Sequence, residues 1–156
     1  MTTEKKTIDI TTTIHAYTDG ACSVDTKIGG WGFLLIHDDK RLERNGGKRQ
    51  TTSNQMELTA AINALKELQG QYPDNPIVVH TDSQYVRKGI TEWIENWKSN
   101  GWRTAAKKAV LNQELWFQLD ELNQAMNVTW QWVKSHSGHP QNQRADVLAK
   151  QGKQLA

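Results

Sequence analysis

The stretch 77–89 constrains the fold most, because a β-branched strand at 77–81 runs into a helical segment without a loop, and Asp82 lies at the junction. Ligands of open α/β sheets bind beyond the carboxyl ends of the strands, so this junction is a candidate site. An alternative interpretation is that Asp82 and Ser83 only cap the helix. The segment 16–20 favours the first interpretation, because it also leads a predicted strand into a Thr-Asp pair, ending at Asp19. The pattern therefore predicts carboxylates at the ends of two strands.

Hydrophobic periodicity predicts three strands, a helix, a strand, helices, a strand and a final helix. The Asp38-Asp39 turn between the second and third strands indicates an antiparallel hairpin. Three meandering strands followed by helix-linked strands predict an α/β fold with a five-stranded mixed sheet and helices on both faces. The predicted strands are 12–18, 31–37, 41–48, 77–81 and 128–132, and the predicted helices are 54–69, short pieces up to 98, one from about 112 and one from 140.

Length and composition favour one domain over residues 1–156, with a frayed polar start at 1–11. Hydrophobic residues make up 37% and charged residues 23%, which is typical of a globular protein. No apolar run reaches the ~18 residues of a membrane span, no signal-peptide core follows the first residues, and the single Cys22 excludes an internal disulfide. We therefore expect a cytoplasmic monomer without an obligate protein partner.

The net charge of +2 argues only weakly for a nucleic-acid partner, but the basic residues are clustered. Such runs are often only a solvated surface, and that interpretation stays open at this point. The two basic groups are Arg41, Arg44, Lys48 and Arg49, and Arg87, Lys88, Lys98, Arg103, Lys107 and Lys108. Trp97 and Trp102 lie close to Lys98 in the second group, which favours contact of both indoles with a substrate. Trp116 belongs to a helical apolar stripe and is expected in the core.

Two further acids are placed where they can join Asp19 and Asp82. Glu57 lies in the first turns of the first predicted helix, where the alternative interpretation is a capping box with Asn54. Asp146 lies early in the last helix, where a carboxylate also stabilises the helix dipole. Each acid alone has a structural explanation, so the prediction of a site depends on all four converging at one edge of the sheet.

Four carboxylates in a small space raise each other's pKa values when no cation is present. A divalent cation removes this conflict, and an all-oxygen set without His or Cys selects hard Mg²⁺ or Mn²⁺ over zinc. Two such ions suit in-line phosphoryl displacement, since one activates water and the other stabilises the leaving oxygen. The acids therefore predict metal-dependent phosphoryl chemistry.

His136 and His139 lie in the loop 134–140, which precedes the helix that carries Asp146. The Gly and Ser residues of this segment predict a mobile loop. An imidazole in it can shuttle a proton for the attacking water or the leaving group. The alternative is that these histidines are only polar surface.

These segments together resemble bacterial ribonuclease H of type 1, and the resemblance covers roughly residues 12–155. Its most specific pieces are Tyr17-Thr18-Asp19-Gly20, Met56-Glu57-Leu58, Thr81-Asp82-Ser83-Gln84-Tyr85-Val86, and Trp132-Val133-Lys134-x-His136-x-Gly138-His139 leading to Arg144-x-Asp146. The resemblance implies an endonuclease that hydrolyses the RNA strand of RNA–DNA hybrids and leaves 5′-phosphate and 3′-hydroxyl ends. It also implies two Mg²⁺ ions in the substrate complex, with Mn²⁺ able to substitute.

The resemblance further implies roles for single residues. Asp19, Glu57, Asp82 and Asp146 match the family's metal-binding carboxylates, and His136 matches its mobile catalytic histidine. The other matches are substrate contacts: Trp93, Trp97, Lys98 and Trp102 in a protrusion that grips the DNA strand, Thr52 and Asn112 in a pocket for a DNA phosphate, Asn54 in the minor groove, and Gln84. Neutral Thr and Asn donors can hold a phosphate without reading the base sequence, which suits such a pocket.

The chain departs from the family pattern in the parts that would contact substrate. Asp25 stands near the place of an Asn that reads the minor groove, and Ser53 replaces an Asn near the helix start. Ser99 and Asn100 stand where relatives commonly carry basic residues. We expect these changes to leave catalysis intact and to raise the Michaelis constant or the sensitivity to salt.

Two other functions stay open at this point. An integrase or transposase core shares carboxylates on a sheet, although the Ser-Gln-Tyr-Val continuation after Asp82 and the basic Trp-containing stretch disfavour it. A non-catalytic nucleic-acid-binding module would keep the scaffold and lose a carboxylate, whereas all four acids are present. Cleavage of a hybrid in the presence of Mg²⁺, compared with cleavage of duplex DNA, discriminates among the three.

Overall fold

The structure, a computed structural model, describes residues 9–135 and 137–156. The predicted catalytic His136 and most of the predicted frayed start lie outside the described residues. Within the described ranges, every helix is too short or too polar to cross a membrane. The strands are β1 (Ile14–Cys22), β2 (Gly29–His37), β3 (Lys40–Lys48), β4 (Ile77–Thr81) and β5 (Val128–Trp132). The helices are α1 (Ser53–Gln71), α2 (Gln84–Lys88), α3 (Ile94–Asn100), α4 (Gln113–Ala125) and α5 (Pro140–Gly152), with a π-helical turn at Gly89–Trp93 and a short 3₁₀ turn at Lys153–Leu155.

The five strands form one mixed sheet in the order β3-β2-β1-β4-β5. β1, β2 and β3 are antiparallel neighbours, whereas β1, β4 and β5 run parallel to one another. Thr18 of β1 pairs with Thr81 of β4, so Asp19 and Asp82 follow this last shared pair side by side. The register confirms the predicted fold class and brings the two acids together. Asp82 follows the end of β4 as predicted, whereas Asp19 lies inside β1, where it pairs with Gly32.

Helices cover both faces of the sheet. On one face, Ile14, Ala16 and Val79 pack with apolar residues of α1 and α4 in the main core. On the opposite face, Tyr17 of β1 and Leu34 of β2 pack around Ala145 of α5. The period of two along each strand therefore separates a large core from a smaller one.

Glycines in β2 allow α5 to lie directly on the sheet. A Cβ added to Gly32 would stand 2.6 Å from the Cβ of Leu148, and one added to Gly30 would meet the carbonyl of Ala149. Real Cβ atoms do not approach other heavy atoms so closely, so side chains at these positions would push α5 outward. The glycines thus determine how close the helix that carries Asp146 comes to the acids of β1 and β4.

The structure corrects several predicted boundaries. β1 begins at Ile14 and continues to Cys22, and β2 begins at Gly29, so the predicted loop at 20–30 shortens to 23–28. The reason is that Gly20, Ala21 and Cys22 pair across to β2 in the antiparallel ladder. Helix α1 begins one residue earlier than predicted and continues to Gln71.

Candidate active site

Three carboxylates meet at the edge where β1 and β4 end their pairing. Asp19, Glu57 and Asp82 each present a carboxylate oxygen, and these oxygens lie within 4.8 Å of one another. Asp19 and Glu57 are buried and Asp82 is half-buried, so solvent screens their mutual repulsion poorly. The geometry brings together three of the four acids predicted from the sequence.

Glu57 reaches this group because helix α1 packs closely on β1. Its carboxylate accepts a hydrogen bond from the backbone N–H of Gly20, and a Cβ on Gly20 would collide with the backbone N of Glu57. The capping-box interpretation of Glu57 is wrong. The N-cap of α1 is Thr52, whose hydroxyl accepts a hydrogen bond from the N–H of Gln55 at 3.2 Å.

Asp82 is likewise free of a capping role. The N-cap of α2 is Ser83, whose hydroxyl accepts from the N–H of Val86 at 3.1 Å. The carboxylate of Asp82 instead accepts a hydrogen bond from the hydroxyl of Ser135 at 2.5 Å. Ser83 is therefore the helix cap, as the alternative interpretation had it, whereas Asp82 is not a cap and belongs to the acidic group.

Electrostatics of the three acids favour a bound cation. Burial raises the pKa of Asp19 to about 7, with repulsion from Asp82 and Asp146 adding to the shift. Burial, and next the charge of Asp19, also raises the pKa of Glu57 well above its ordinary value. The Oε2 atom of Glu57 is buried and has no hydrogen-bond partner among the described residues. An oxygen-only donor set with an orphaned carboxylate oxygen fits a hard divalent ion such as Mg²⁺ or Mn²⁺.

Asp146 lies at the rim of this group. It is not among the three acids whose oxygens come within 4.8 Å of one another, but it lies close enough to Asp19 to help raise the pKa of that carboxyl. The side chain of Asp146 is 27% exposed and forms an ion pair with Lys150 at 2.9 Å. The predicted convergence is therefore complete for three acids, with the fourth alongside Asp19.

A stack of rings connects the three elements that carry the aspartates. Tyr17 of β1 stacks on His80 of β4 with ring centroids 4.3 Å apart, and His139 at the start of α5 lies 5.6 Å from Tyr17. His139 is the N-cap of α5, since its Nδ1 accepts from the N–H of Asn142 at 3.4 Å. Burial, followed by the neighbouring His15 and His139, lowers the pKa of His80 to about 4. Sequence reasoning missed this stack, although Tyr17 and His80 each lie two residues before a site aspartate.

The predicted protrusion surrounds a groove of about 710 Å³. Asn54, Asn112, Trp93 and the rim of Trp97 contribute to its lining. Trp93 is 37% exposed, whereas Trp97 is 9% exposed and packs in the core against Trp116. Most of Trp97 is therefore unavailable for the substrate contact predicted for it, because its indole fills the space between α3 and α4.

The other predicted substrate residues differ in how they are held. Lys98 forms an ion pair with Asp120 at 2.8 Å, and half-buried Trp102 packs edge-on against Phe117 with centroids 4.4 Å apart. Asn112 accepts a hydrogen bond from Gln55 and donates one to the hydroxyl of Tyr85, both at 3.1 Å. These partners could not be predicted from local sequence patterns, because they come from elements far apart in the chain.

Thr52 and Gln84 have local roles in the structure: Thr52 caps α1, and the side-chain oxygen of Gln84 accepts from Arg87 at 3.0 Å. Among the residues that depart from the family pattern, Asp25 and Ser99 are exposed, and Ser53 opens α1. Asn100 holds a turn, because its side chain bonds both the N–H and the carbonyl of Arg103 at 3.0 Å.

Comparison with known proteins agrees with this geometry. The family model of RNase H matches residues 11–154. A ribonuclease H of Bradyrhizobium diazoefficiens is 58% identical over 141 residues, which cover 89% of this chain and 88% of that protein. A ribonuclease H of Halorhodospira halophila is 55% identical over 141 residues, with 89% and 91% covered. The crystal structure of a type 1 RNase H with the type 2 active-site motif superposes with a TM-score of 0.83 at 28% identity, covering 92% of this chain and 73% of that one.

Proposed function

Because the chain belongs to the ribonuclease H family, we propose that it is an endoribonuclease that hydrolyses the RNA strand of RNA–DNA hybrids, leaving 5′-phosphate and 3′-hydroxyl ends. The observation that carries this proposal is the group formed by Asp19, Glu57 and Asp82, whose oxygens lie within 4.8 Å of one another. Such a group suits phosphoryl chemistry and has no evident purpose in a protein that only binds nucleic acid.

The proposal includes two Mg²⁺ ions in the substrate complex, held by Asp19, Glu57, Asp82 and Asp146, with Mn²⁺ able to substitute. Bound ions of this kind make a water nucleophilic and stabilise the charge on the leaving oxygen. The raised pKa values of Asp19 and Glu57 support the assignment, because burial and mutual repulsion disfavour the charged carboxylates and a bound cation would offset both effects. The chain's own part is to hold these carboxylate oxygens in place, for example through the hydrogen bonds of Gly20 to Glu57 and of Ser135 to Asp82.

The proton shuttle proposed for His136 depends on the family motif, since this residue lies outside the described residues. The described neighbours support a role for its loop: Ser135 donates to Asp82, and His139 caps the helix that carries Asp146. We expect His136→Ala to slow turnover without abolishing it, because a positioned general acid–base typically contributes about 10²–10⁴-fold. Recovery of the rate by added imidazole buffer would support the shuttle.

Hybrid binding is proposed for the groove lined by α3, the segment that follows it up to Asn112, and Asn54 of α1, together with the residues around this groove. The supporting features are two side-chain amides, from Asn54 and Asn112, and the exposed indole of Trp93. Amides can hold a phosphate, and an indole packs on sugars and bases regardless of sequence. The other residues proposed to contribute are Thr52, Gln84, Lys98, Trp102 and the small exposed edge of Trp97.

We also propose that the enzyme acts as a monomer and that it acts in the cytoplasm. No described feature favours the integrase or the binding-module alternative. All four acids are present, and the family match extends over residues 11–154.

The decisive experiment uses one end-labelled RNA strand presented as a hybrid with DNA, as a single strand and as an RNA duplex, each with Mg²⁺ or EDTA. We expect cleavage of the hybrid alone, lost in EDTA and in the Asp82→Asn variant. Binding of the hybrid without cleavage would favour the module alternative. Cleavage of DNA, or of RNA irrespective of its partner strand, would overturn the proposed function.

A further inference from the structure

Helix α5 is tied to the edge strand β3 by polar contacts on both sides of Asp146. The guanidinium of Arg144 donates two hydrogen bonds to the carboxylate of Glu43, at 2.6 and 3.0 Å. The side-chain amide of Asn45 donates to the backbone carbonyl of Leu148 at 3.0 Å. The two contacts lie on the residues two before and two after Asp146 in the chain, and we refer to them together as the β3 clamp.

The periodicities of strand and helix make this clamp a single unit. Glu43 and Asn45 are alternate residues of β3, so both side chains point to the same face of the sheet. Arg144 and Leu148 are four residues apart on α5, so they lie on the same side of the helix, one turn apart. The clamp therefore engages the turn of α5 on which Asp146 lies.

The chemistry of the clamp determines orientation as well as distance. A two-point Arg–carboxylate pair fixes the plane of both groups, unlike an ion pair to lysine. The contact to Leu148 is with the helix backbone itself, so it limits both rotation and sliding of α5. The hydrogen bonds from Arg144 hold the pKa of Glu43 below its ordinary value, because they stabilise the charged carboxylate.

We propose that Glu43 and Asn45 are positioning residues for Asp146, which set the distance of its carboxylate from Asp19 and thus the metal affinity of the site. The inference depends on the proposed function, because it assigns Asp146 to the metal-binding group. Neither residue touches the three-carboxylate group directly; each acts through α5.

A control residue separates positioning from general stabilisation. Glu67 also forms an ion pair with β3, through Arg44 at 3.4 Å, and its side chain is 28% exposed, as is that of Glu43. Glu67 belongs to α1, however, and its partner Arg44 points away from α5. Glu67→Gln therefore removes a comparable ion pair to the same strand without loosening the helix of Asp146.

The experiment compares Glu43→Gln, Asn45→Ala and Glu67→Gln with the unmodified protein. Mg²⁺ binding is measured by calorimetry without nucleic acid, thermal unfolding is measured in EDTA, and kcat and KM are measured with the hybrid. For Glu43→Gln and Asn45→Ala we expect Mg²⁺ affinity and kcat to fall about 3- to 10-fold with KM for the hybrid unchanged, since outer partners of a metal site act through ligand geometry. For Glu67→Gln we expect the Mg²⁺ affinity and kcat to stay at the level of the unmodified protein.

Equal Mg²⁺ affinity in Glu43→Gln and the unmodified protein would overturn the inference, even if the melting temperature fell. Equal loss in Glu43→Gln and Glu67→Gln would overturn it too, because it would point to a general charge effect. Arg144→Lys gives a further test. A lysine cannot form the two-point contact with Glu43, so this variant should also bind Mg²⁺ more weakly than the unmodified protein. If the unmodified protein fails to cleave the hybrid, the proposed function fails instead, and the calorimetric comparison still reports on the clamp.

Discussion

The backbone N–H of Gly20 donates a hydrogen bond to the carboxylate of Glu57, and no side chain separates the two residues. This contact joins α1 to β1 directly beside Asp19. It also stabilises the charged form of a buried carboxylate that burial otherwise strongly disfavours. The close approach of these two residues is therefore a condition for the acidic site.

The first prediction follows from that contact. We expect Gly20→Ala to lower kcat by about 10²-fold, because the new methyl group would push Glu57 by a distance that matters for catalysis. Unfolding by urea should also show a loss of about 1–3 kcal/mol from overpacking. Gly70→Ala is the control, since among the described residues no atom outside its own helical turn lies within 4 Å of a Cβ added there. A Gly20→Ala enzyme with unchanged kcat would contradict the assignment of Glu57.

The second prediction concerns pH and the protein without metal. The folded-state pKa of Asp19 is about 7, above its ordinary value of 3.8, so the folded protein binds this proton more tightly than the unfolded chain. The resulting stabilisation is fully present below the ordinary value and is lost as the pH rises through about 7. Thermal unfolding in EDTA should therefore show a falling melting temperature between about pH 5 and pH 8.

Asp19→Asn should abolish this loss of stability at rising pH, because an amide does not ionise. At about pH 8 we expect the variant in EDTA to melt several degrees above the unmodified protein, since about 1 kcal/mol corresponds to roughly 2–4 °C for a chain of this size. The variant should also lose hybrid cleavage. If the melting temperatures of the two proteins fell in parallel with rising pH, Asp19 would not titrate as described.

Comparison of these residues with the sequence shows what local patterns can predict. Asp19 and Asp82 were predictable because each follows an alternating or β-branched segment, and the parallel pairing of β1 with β4 stops just before them, although β1 itself continues past Asp19 to Cys22. The position of Glu57 was predictable only in part, since its capping-box pattern is local whereas its contact with Gly20 is not. The partners of Lys98, Trp97 and Asn112 were not predictable, because they depend on how α3 and α4 pack.

The third prediction uses the ion pair of Lys150 with Asp146, whose atoms lie 2.9 Å apart. Lys150 competes with a metal ion for the same carboxylate, so Lys150→Gln should lower the Mg²⁺ concentration for half-maximal cleavage. The expected shift is about twofold, because exposed ion pairs are weak. Lys153→Gln removes the same charge near the end of α5, where the lysine contacts Ser23 at 3.5 Å, and should leave the Mg²⁺ dependence unchanged.

The fourth prediction separates two tryptophans that the sequence placed in the same role. Trp97 is 9% exposed and packs on Trp116, so Trp97→Ala should lower the free energy of unfolding by about 3–5 kcal/mol. Trp93 is 37% exposed at the groove, so Trp93→Ala should raise KM for the hybrid by about fivefold, corresponding to roughly 1 kcal/mol of lost stacking. Urea unfolding and steady-state kinetics on both variants check the contrast. The opposite pattern would return Trp97 to the substrate surface.

The fifth prediction concerns hybrid affinity in the protrusion, where Ser99 is exposed and its hydroxyl donates to the carbonyl of Asn96 at 3.0 Å. Ser99→Lys adds a cation there without disturbing the turn that Asn100 holds. We expect KM to fall about threefold at ~0.05 M salt, with the advantage shrinking as salt rises, because each added phosphate contact releases about 0.9 counterion. Gln69→Lys, at an exposed position on α1, adds the same charge away from the groove and should leave KM nearly unchanged. A KM that falls equally in both variants would show that net charge, rather than the protrusion, limits hybrid binding.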